Sequence, residues 1–142
     1  MRRGFTLFEL VTVLAIIGLL AALALPRLAG WLDLLAVRRA ASEVASFYTR
    51  ARFAAIFHGT RVRLEFGSDS LRAVFEAAQD STFLVTAGPG RQGVMLSVSR
   101  PVIRINPNGL GWGAANTKVV VRRGAVAESL TTSRLGRLKR WR

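Results

Sequence analysis

Between Glu9 and Arg27 lie seventeen residues, LVTVLAIIGLLAALALP, without a charged side chain. An apolar run behind a short basic start has three physical readings: a secretory signal peptide, a transmembrane anchor, or a buried core helix. Ala22-Leu23-Ala24 offers the small residues a signal peptidase needs, but Glu9 and Thr12 fall where a signal sequence should be purely apolar. From Phe5 to Leu25 there are 21 residues, about 32 Å of helix at ~1.5 Å per residue, which matches a bilayer core of about 30 Å. The length therefore predicts a membrane span. Glu9 opposes it, because an ionised carboxylate near hydrocarbon costs ~2.5–3.5 kcal/mol on insertion scales. A residue that expensive calls for a function.

The rest of the chain has to be weighed without that segment. Its 142 residues allow one compact domain, and 51% of them are hydrophobic, too many for a disordered basic tail. Lys and Arg number 21 against 8 acidic residues, a formal charge of +13. The surplus is uneven: residues 27–117 hold eleven basic and six acidic side chains, whereas residues 118–142 hold eight basic ones against Glu128 alone. No cysteine is present, which excludes disulfides, Cys-ligated zinc and a thiol nucleophile. His58 is the single histidine; its place at a predicted helix end suits a polar terminal residue better than a catalytic base. Without a histidine cluster or a glycine-rich phosphate loop, the sequence predicts neither an enzyme nor a bound cofactor or metal.

Pro26 lacks a backbone donor and crowds the preceding turn, so a bend or local melting of the helix is expected there. Beyond it Leu28, Trp31, Leu35, Ala41, Val44, Phe47, Ala51 and Ala55 recur at helical steps among Arg38, Arg39, Glu43, Arg50 and Arg52. One helix from Phe5 to Phe57, capped by Gly59, would span on the order of 80 Å. From Thr60 the period changes to two. Strands are expected over residues 61–66, 71–75, 82–86, 94–99, 102–105, 118–122 and 128–132, with loop chemistry at Gly88-Pro89-Gly90, Asn106-Pro107-Asn108-Gly109 and Gly111-Trp112-Gly113. The economical fold class is α+β, a long bent helix whose second half packs on an antiparallel β domain.

Arg2-Arg3-Gly4 followed by Phe5-Thr6-Leu7-Phe8-Glu9-Leu10 resembles the processing signal of type IV pilins and of the pseudopilins of type II secretion. The resemblance implies a leader, residues 1–4, that a prepilin peptidase removes between Gly4 and Phe5, with N-methylation of Phe5. It also implies a transmembrane helix over 5–25, its amphipathic continuation over 26–58 with a kink at Pro26, and a periplasmic β domain over 59–142. Glu9 would then pair with the α-amino group of a neighbouring subunit's Phe5, and a paired charge is tolerable in lipid where a lone one is not. Implied partners are other pilins or pseudopilins, the prepilin peptidase, the inner-membrane assembly platform, and lipid around residues 5–25.

Further along, Ile105-Asn106-Pro107-Asn108-Gly109, the strand at 118–122 and Leu135-Gly136-Arg137-Leu138-Lys139 resemble the H-type minor pseudopilins of type II secretion (general secretion pathway protein H) and the related FimT-type minor pilins. Glu128 alone after residue 80 cannot supply the calcium loop of G-type major pseudopilins, and Glu9 is the residue that K-type subunits lack. The expectation is a minor pseudopilin of the inner membrane and periplasmic filament. The alternative is a FimT-like pilin that binds DNA through its basic end, with Arg134, Arg137, Lys139, Arg140, Trp141 and Arg142 as candidates. Gly136-Arg137-Leu138-Lys139 matches the Gly-Arg-x-Arg element of that group only in part, since lysine lacks the bidentate fork. Basic chain ends are also ordinary solvated surface. Adhesion of this tail to the membrane is disfavoured, because it belongs to a head set beyond a long helix, on the far side of the membrane from the leader's Arg2 and Arg3.

Overall fold

A computed structural model describes residues 6–77, 79–113 and 115–141. Gly4 and Phe5, like Arg142, lie outside the described residues. The chain forms two compact units, residues 1–32 and 33–142. A single helix, α1 (Leu7–His58), contributes to both.

In the first unit α1 begins with Thr6, whose Oγ1 accepts the Glu9 amide at 3.2 Å while its carbonyl accepts Leu10 N–H at 3.1 Å. Its apolar side chains from Leu7 to Leu25 are all exposed. The Thr12 hydroxyl donates to Phe8 O at 2.8 Å, so this polar group satisfies itself inside the helix and does not disqualify a span. The helix is continuous through Pro26, which corrects the expectation of local melting.

The second unit is the head. Val37, Ala40, Ala41, Val44, Phe47, Tyr48, Ala51 and Ala55 form the buried stripe of α1, spaced as a helix face requires. Four alanines keep that stripe thin. Two antiparallel sheets pack against it, one of five strands and one of four. The five-stranded sheet has the order β3 (Ser81–Ala87), β2 (Ser70–Phe75), β1 (Val62–Phe66), β5 (Val102–Ile105), β6 (Gly111–Trp112). The four-stranded one has the order β4 (Met95–Val98), β7 (Thr117–Arg123), β8 (Val126–Thr132), β9 (Leu138–Trp141). Val62, Leu64, Leu71, Ala73, Ile103 and Ile105 from the first sheet and Val119, Val121 and Leu130 from the second close one core with the helix. Phe47 meets Phe66 edge to face at 5.8 Å between centroids, a favourable arrangement of two ring quadrupoles. Burial pushes the Tyr48 hydroxyl pKa up, since the phenolate would lose its hydration.

The helix stops where expected. Gly59 adopts φ +59°, and the pair Gly59 N–H to Ile56 O and Thr60 N–H to Ala55 O closes the last carbonyls in a Schellman motif. Three differences from the sequence pattern stand out. Leu28, Trp31 and Leu35 share the period of the buried stripe yet remain exposed, because periodicity defines a face without supplying a partner for it. Gly111–Trp112 forms a two-residue strand on the edge of β5, and Pro89–Gln92 forms a 3₁₀ turn; both segments read as loops from their glycines and proline. Leu138–Trp141 is a further strand, beyond residue 132 where the alternating pattern of the sequence stops.

Candidate functional site

Two parts of the chain carry the functional expectations, and in each the backbone decides what the side chains can do. Thr6 is the N-cap of α1 and Glu9 its third residue, the Thr-x-x-Glu spacing of a capping box. Glu9 therefore has a conformational reason to be where it is, reinforced by the positive end of the helix dipole. The sequence already held this signal. Read as an obstacle to membrane insertion and as a partner for a neighbour's Phe5, Glu9 hid the Thr6 cap.

At the other end, β9 is the last strand of its sheet and alternates in its contacts. Leu138 packs on the core. Arg140, on the same side, reaches across to β8 and to α1. Its Nε and Nη2 bind the two carboxylate oxygens of Glu128, the second at 2.9 Å, while Nη1 donates to Ser42 Oγ at 3.0 Å and Nη2 to Arg38 O at 3.2 Å. Glu128 is 5% exposed, so a bidentate guanidinium is what lets this carboxylate stay inside. Hydrogen bonds to Glu128 also raise the Arg140 pKa. Arg140 thus clamps β9 to β8 and to α1, with its guanidinium engaged by Glu128. Period two places Glu128 in phase with Leu130 and Thr132, a face whose carboxylate needs a partner; that was the available sequence signal.

Lys139 and Trp141 point the opposite way, onto the outer face of the four-stranded sheet. Lys139 lies opposite Thr131 and, one strand further, Lys118; Trp141 lies opposite Ser129 and Val120. The Lys139 Nζ sits 3.7 Å from the Trp141 ring centroid, and Trp141 Nε1 donates to Thr131 Oγ1 at 3.1 Å. With Arg122 the face carries three cations and, among the described residues, no carboxylate. Beside it a shallow cavity of about 210 Å³ is lined by Thr131, Thr132, Ser133, Arg137 and Lys139. Arg134 and Arg137 are exposed.

The Gly136-Arg137 element has a structural basis. Gly136 is buried at φ +72° in a turn that joins Ser133 N–H to Arg137 O at 2.9 Å and Gly136 N–H to Ser133 O at 3.0 Å. A β-carbon there would come within 2.6 Å of Arg52 Nε, which donates to Gly109 O at 2.9 Å. Gly136→Ala should cost about 1–3 kcal/mol through the left-handed backbone and the displaced arginine. Urea unfolding of the full chain measures it, and an unchanged midpoint would show that the turn tolerates a side chain.

Residues 1–25 match the family model described as the prokaryotic N-terminal methylation motif. Fimbrial protein Q of Moraxella bovis is 36% identical over 98 residues, which cover 69% of this chain and 58% of that protein. Pilin-like protein PilA1 of Thermus thermophilus is 47% identical over 64 residues, 45% of this chain and 40% of that one. The chain thus spans about half the length of the curated relatives it matches. In three dimensions it is similar to the type IV minor pilin FimU of Pseudomonas aeruginosa, with TM-score 0.63 and 13% identity over 72% of this chain and 86% of FimU. At that identity the likeness concerns the fold, which is the type IV pilin fold. The chain thus combines an N-terminal methylation motif with a type IV pilin fold.

Proposed function

We propose that this chain is a minor subunit of a pilin-type filament, cut between Gly4 and Phe5, methylated on Phe5, anchored by residues 5–25 and recruited through Glu9. One observation carries the reading: folding leaves every large apolar side chain from Leu7 to Leu25 exposed, directly behind a capped glutamate, while the head closes a core of its own. A surface that apolar needs lipid before assembly and the matching segments of other subunits afterwards. Removal of the leader would create an α-ammonium at Phe5, the cation that offsets a Glu9 carboxylate in apolar surroundings. Growth of the filament then consists of transferring this helix out of lipid, with the Glu9–Phe5 charge pair selecting the subunit and its register. Other pilins or pseudopilins, the prepilin peptidase and the assembly platform are the partners of that cycle.

Within this class the proposed machine is a type II secretion pseudopilus, on the strength of the resemblance around residues 105–109 and 135–139 to H-type subunits. A pilus subunit that takes up DNA is the second reading, favoured by the acid-free face with Lys118, Arg122, Lys139 and Trp141. Lysines there would meet phosphates and Trp141 an unpaired base, giving strongly salt-dependent binding without sequence preference.

Co-production with a prepilin peptidase, followed by intact mass of the membrane-extracted chain, tests the core of the proposal. The expected product lacks the four leader residues and carries one added methyl group; a chain that keeps its leader overturns the proposal. Deleting the gene separates the two machines, by loss of secreted proteins or by loss of pili and transformation.

A further inference from the structure

The end of the head at which α1 enters carries a cationic cluster that neither the core nor the proposed filament contacts use. Gly124, at the tip of the β7–β8 hairpin with φ +56°, lies against Asp33, and Arg123 holds Asp33 Oδ1 at 2.8 Å while donating to Gln92 O at 3.0 Å. Arg39 has a side chain 75% exposed and lines, with Leu35, Ala36, Gln92 and Arg123, an open cavity of about 340 Å³. Arg38 flanks the other arm of the hairpin beside Val126 and Ala127. Arg91 stands in the 3₁₀ turn, and Arg122 is exposed opposite Met95. Five arginines therefore stand around the hairpin against three carboxylates, and all three are engaged, Asp33 by Arg123, Glu43 by Arg39 and Gln92, and Glu128 by Arg140. Arg38, Arg91 and Arg122 have no carboxylate within ion-pair distance among the described residues.

We infer that this arginine cluster docks the head onto the anionic phospholipid headgroups of the bilayer that anchors the chain. The inference rests on the reading of residues 5–25 as a membrane span. Only seven residues lie between Leu25 and Asp33, so covalent reach over eight Cα steps holds Asp33 within roughly 28 Å of the span's end however the two units are oriented. The tether makes docking intramolecular, at high effective lipid concentration. Guanidinium forks suit phosphodiesters, and each cation near an anionic leaflet favours the docked state on the order of fivefold. Leu35 and Met95, 41% and 73% exposed, add apolar contact suited to the boundary between headgroups and acyl chains. Docking would keep an unassembled subunit flat against its membrane, and entry into a filament would have to release it.

The chain has no cysteine, so a fluorophore on Ala125→Cys reports the hairpin tip and one on Phe57→Cys, at the far end of α1, serves as reference. Asp33 and Phe57 are separated by 24 residues of helix, about 36 Å. Full-length protein is reconstituted into phosphatidylcholine vesicles with or without phosphatidylglycerol and with a quencher attached to the headgroups. In anionic vesicles the Ala125 label should be quenched several times more than the Phe57 label. The excess should vanish in neutral vesicles, in molar salt where the Debye length is about 3 Å, and in the exposed-surface variant Arg38→Gln/Arg91→Gln/Arg122→Gln. Equal quenching at both positions, or quenching indifferent to lipid charge, overturns docking. Carbonate extraction reads the anchor separately: a retained but unquenched chain refutes docking alone, and a released chain refutes the span and docking together.

Discussion

Replacing Arg140 by alanine should lower the melting temperature of the head by on the order of 10–20 °C, the equivalent of about 3–5 kcal/mol. The size of the effect comes from what remains. Glu128, 5% exposed, would keep its carboxylate inside without the guanidinium that binds both of its oxygens, and an orphaned buried charge is among the costliest single lesions. The same substitution frees Ser42 Oγ and Arg38 O, which tie β9 to α1. Arg137→Ala, an exposed neighbour three residues away, should change stability by no more than about 0.5 kcal/mol. Thermal melts of both variants, full-length in detergent, make the comparison. The double variant Glu128→Leu/Arg140→Met separates burial from clamping, because a well-packed apolar pair of similar volume is often neutral or better. If Arg140→Ala melts within a degree or two of the parent, Glu128 has found water or another donor and the clamp is not structural. The consequence reaches function: a basic tail tested for DNA binding by removing Arg140 would lose binding through unfolding of β9, so Lys139, Arg137 and Lys118 are the informative positions.

Much of this was legible in the sequence for a physical reason. Val102–Ile105 has the limits its alternation predicts, and β1, β2, β3, β7 and β8 differ from theirs by one or two residues at an end. Such strands declare themselves because one face is buried and the other wet. What could not be read is which strands pair. β1 joins β5 across β2, β3 and β4, and β4 joins β7 across β5 and β6, so the division into two sheets depends on long-range contacts that local pattern does not encode. β9 does not declare itself by alternation for a different reason: its inward positions are Leu138 and Arg140, and an arginine does not look like a core residue until Glu128 is seen opposite it. Pro26 lies inside α1 without ending it, since a proline removes one bond from the ladder and the turns on either side keep theirs.

Glu9→Ala should abolish incorporation into filaments while leaving membrane insertion intact, yet that result alone would not identify the cause. Alanine removes two things at once: the carboxylate proposed to meet the Phe5 ammonium of a neighbour, and the third residue of the Thr6 capping box. Glu9→Gln separates them. Glutamine keeps the capping-box chemistry at that position and nearly the same volume, and it loses only the charge. A charge-pairing role predicts that both variants insert normally and that both fail to assemble, with incorporation reduced at least tenfold, which corresponds to about 1.4 kcal/mol at the selecting step. A conformational role predicts the opposite pattern: Gln assembles like the parent, and Thr6→Ala, with Glu9 present, fails like Glu9→Ala. The measurement is the ratio of filament-incorporated to membrane-resident chain, quantified from sheared and membrane fractions of the same cells. Carbonate-resistant membrane association must be equal across the three variants, because removing a carboxylate makes insertion easier rather than harder. Normal incorporation of Glu9→Gln would move the role of this residue from electrostatic selection to helix initiation, and with it the reason a lone acidic side chain opens an otherwise uncharged segment.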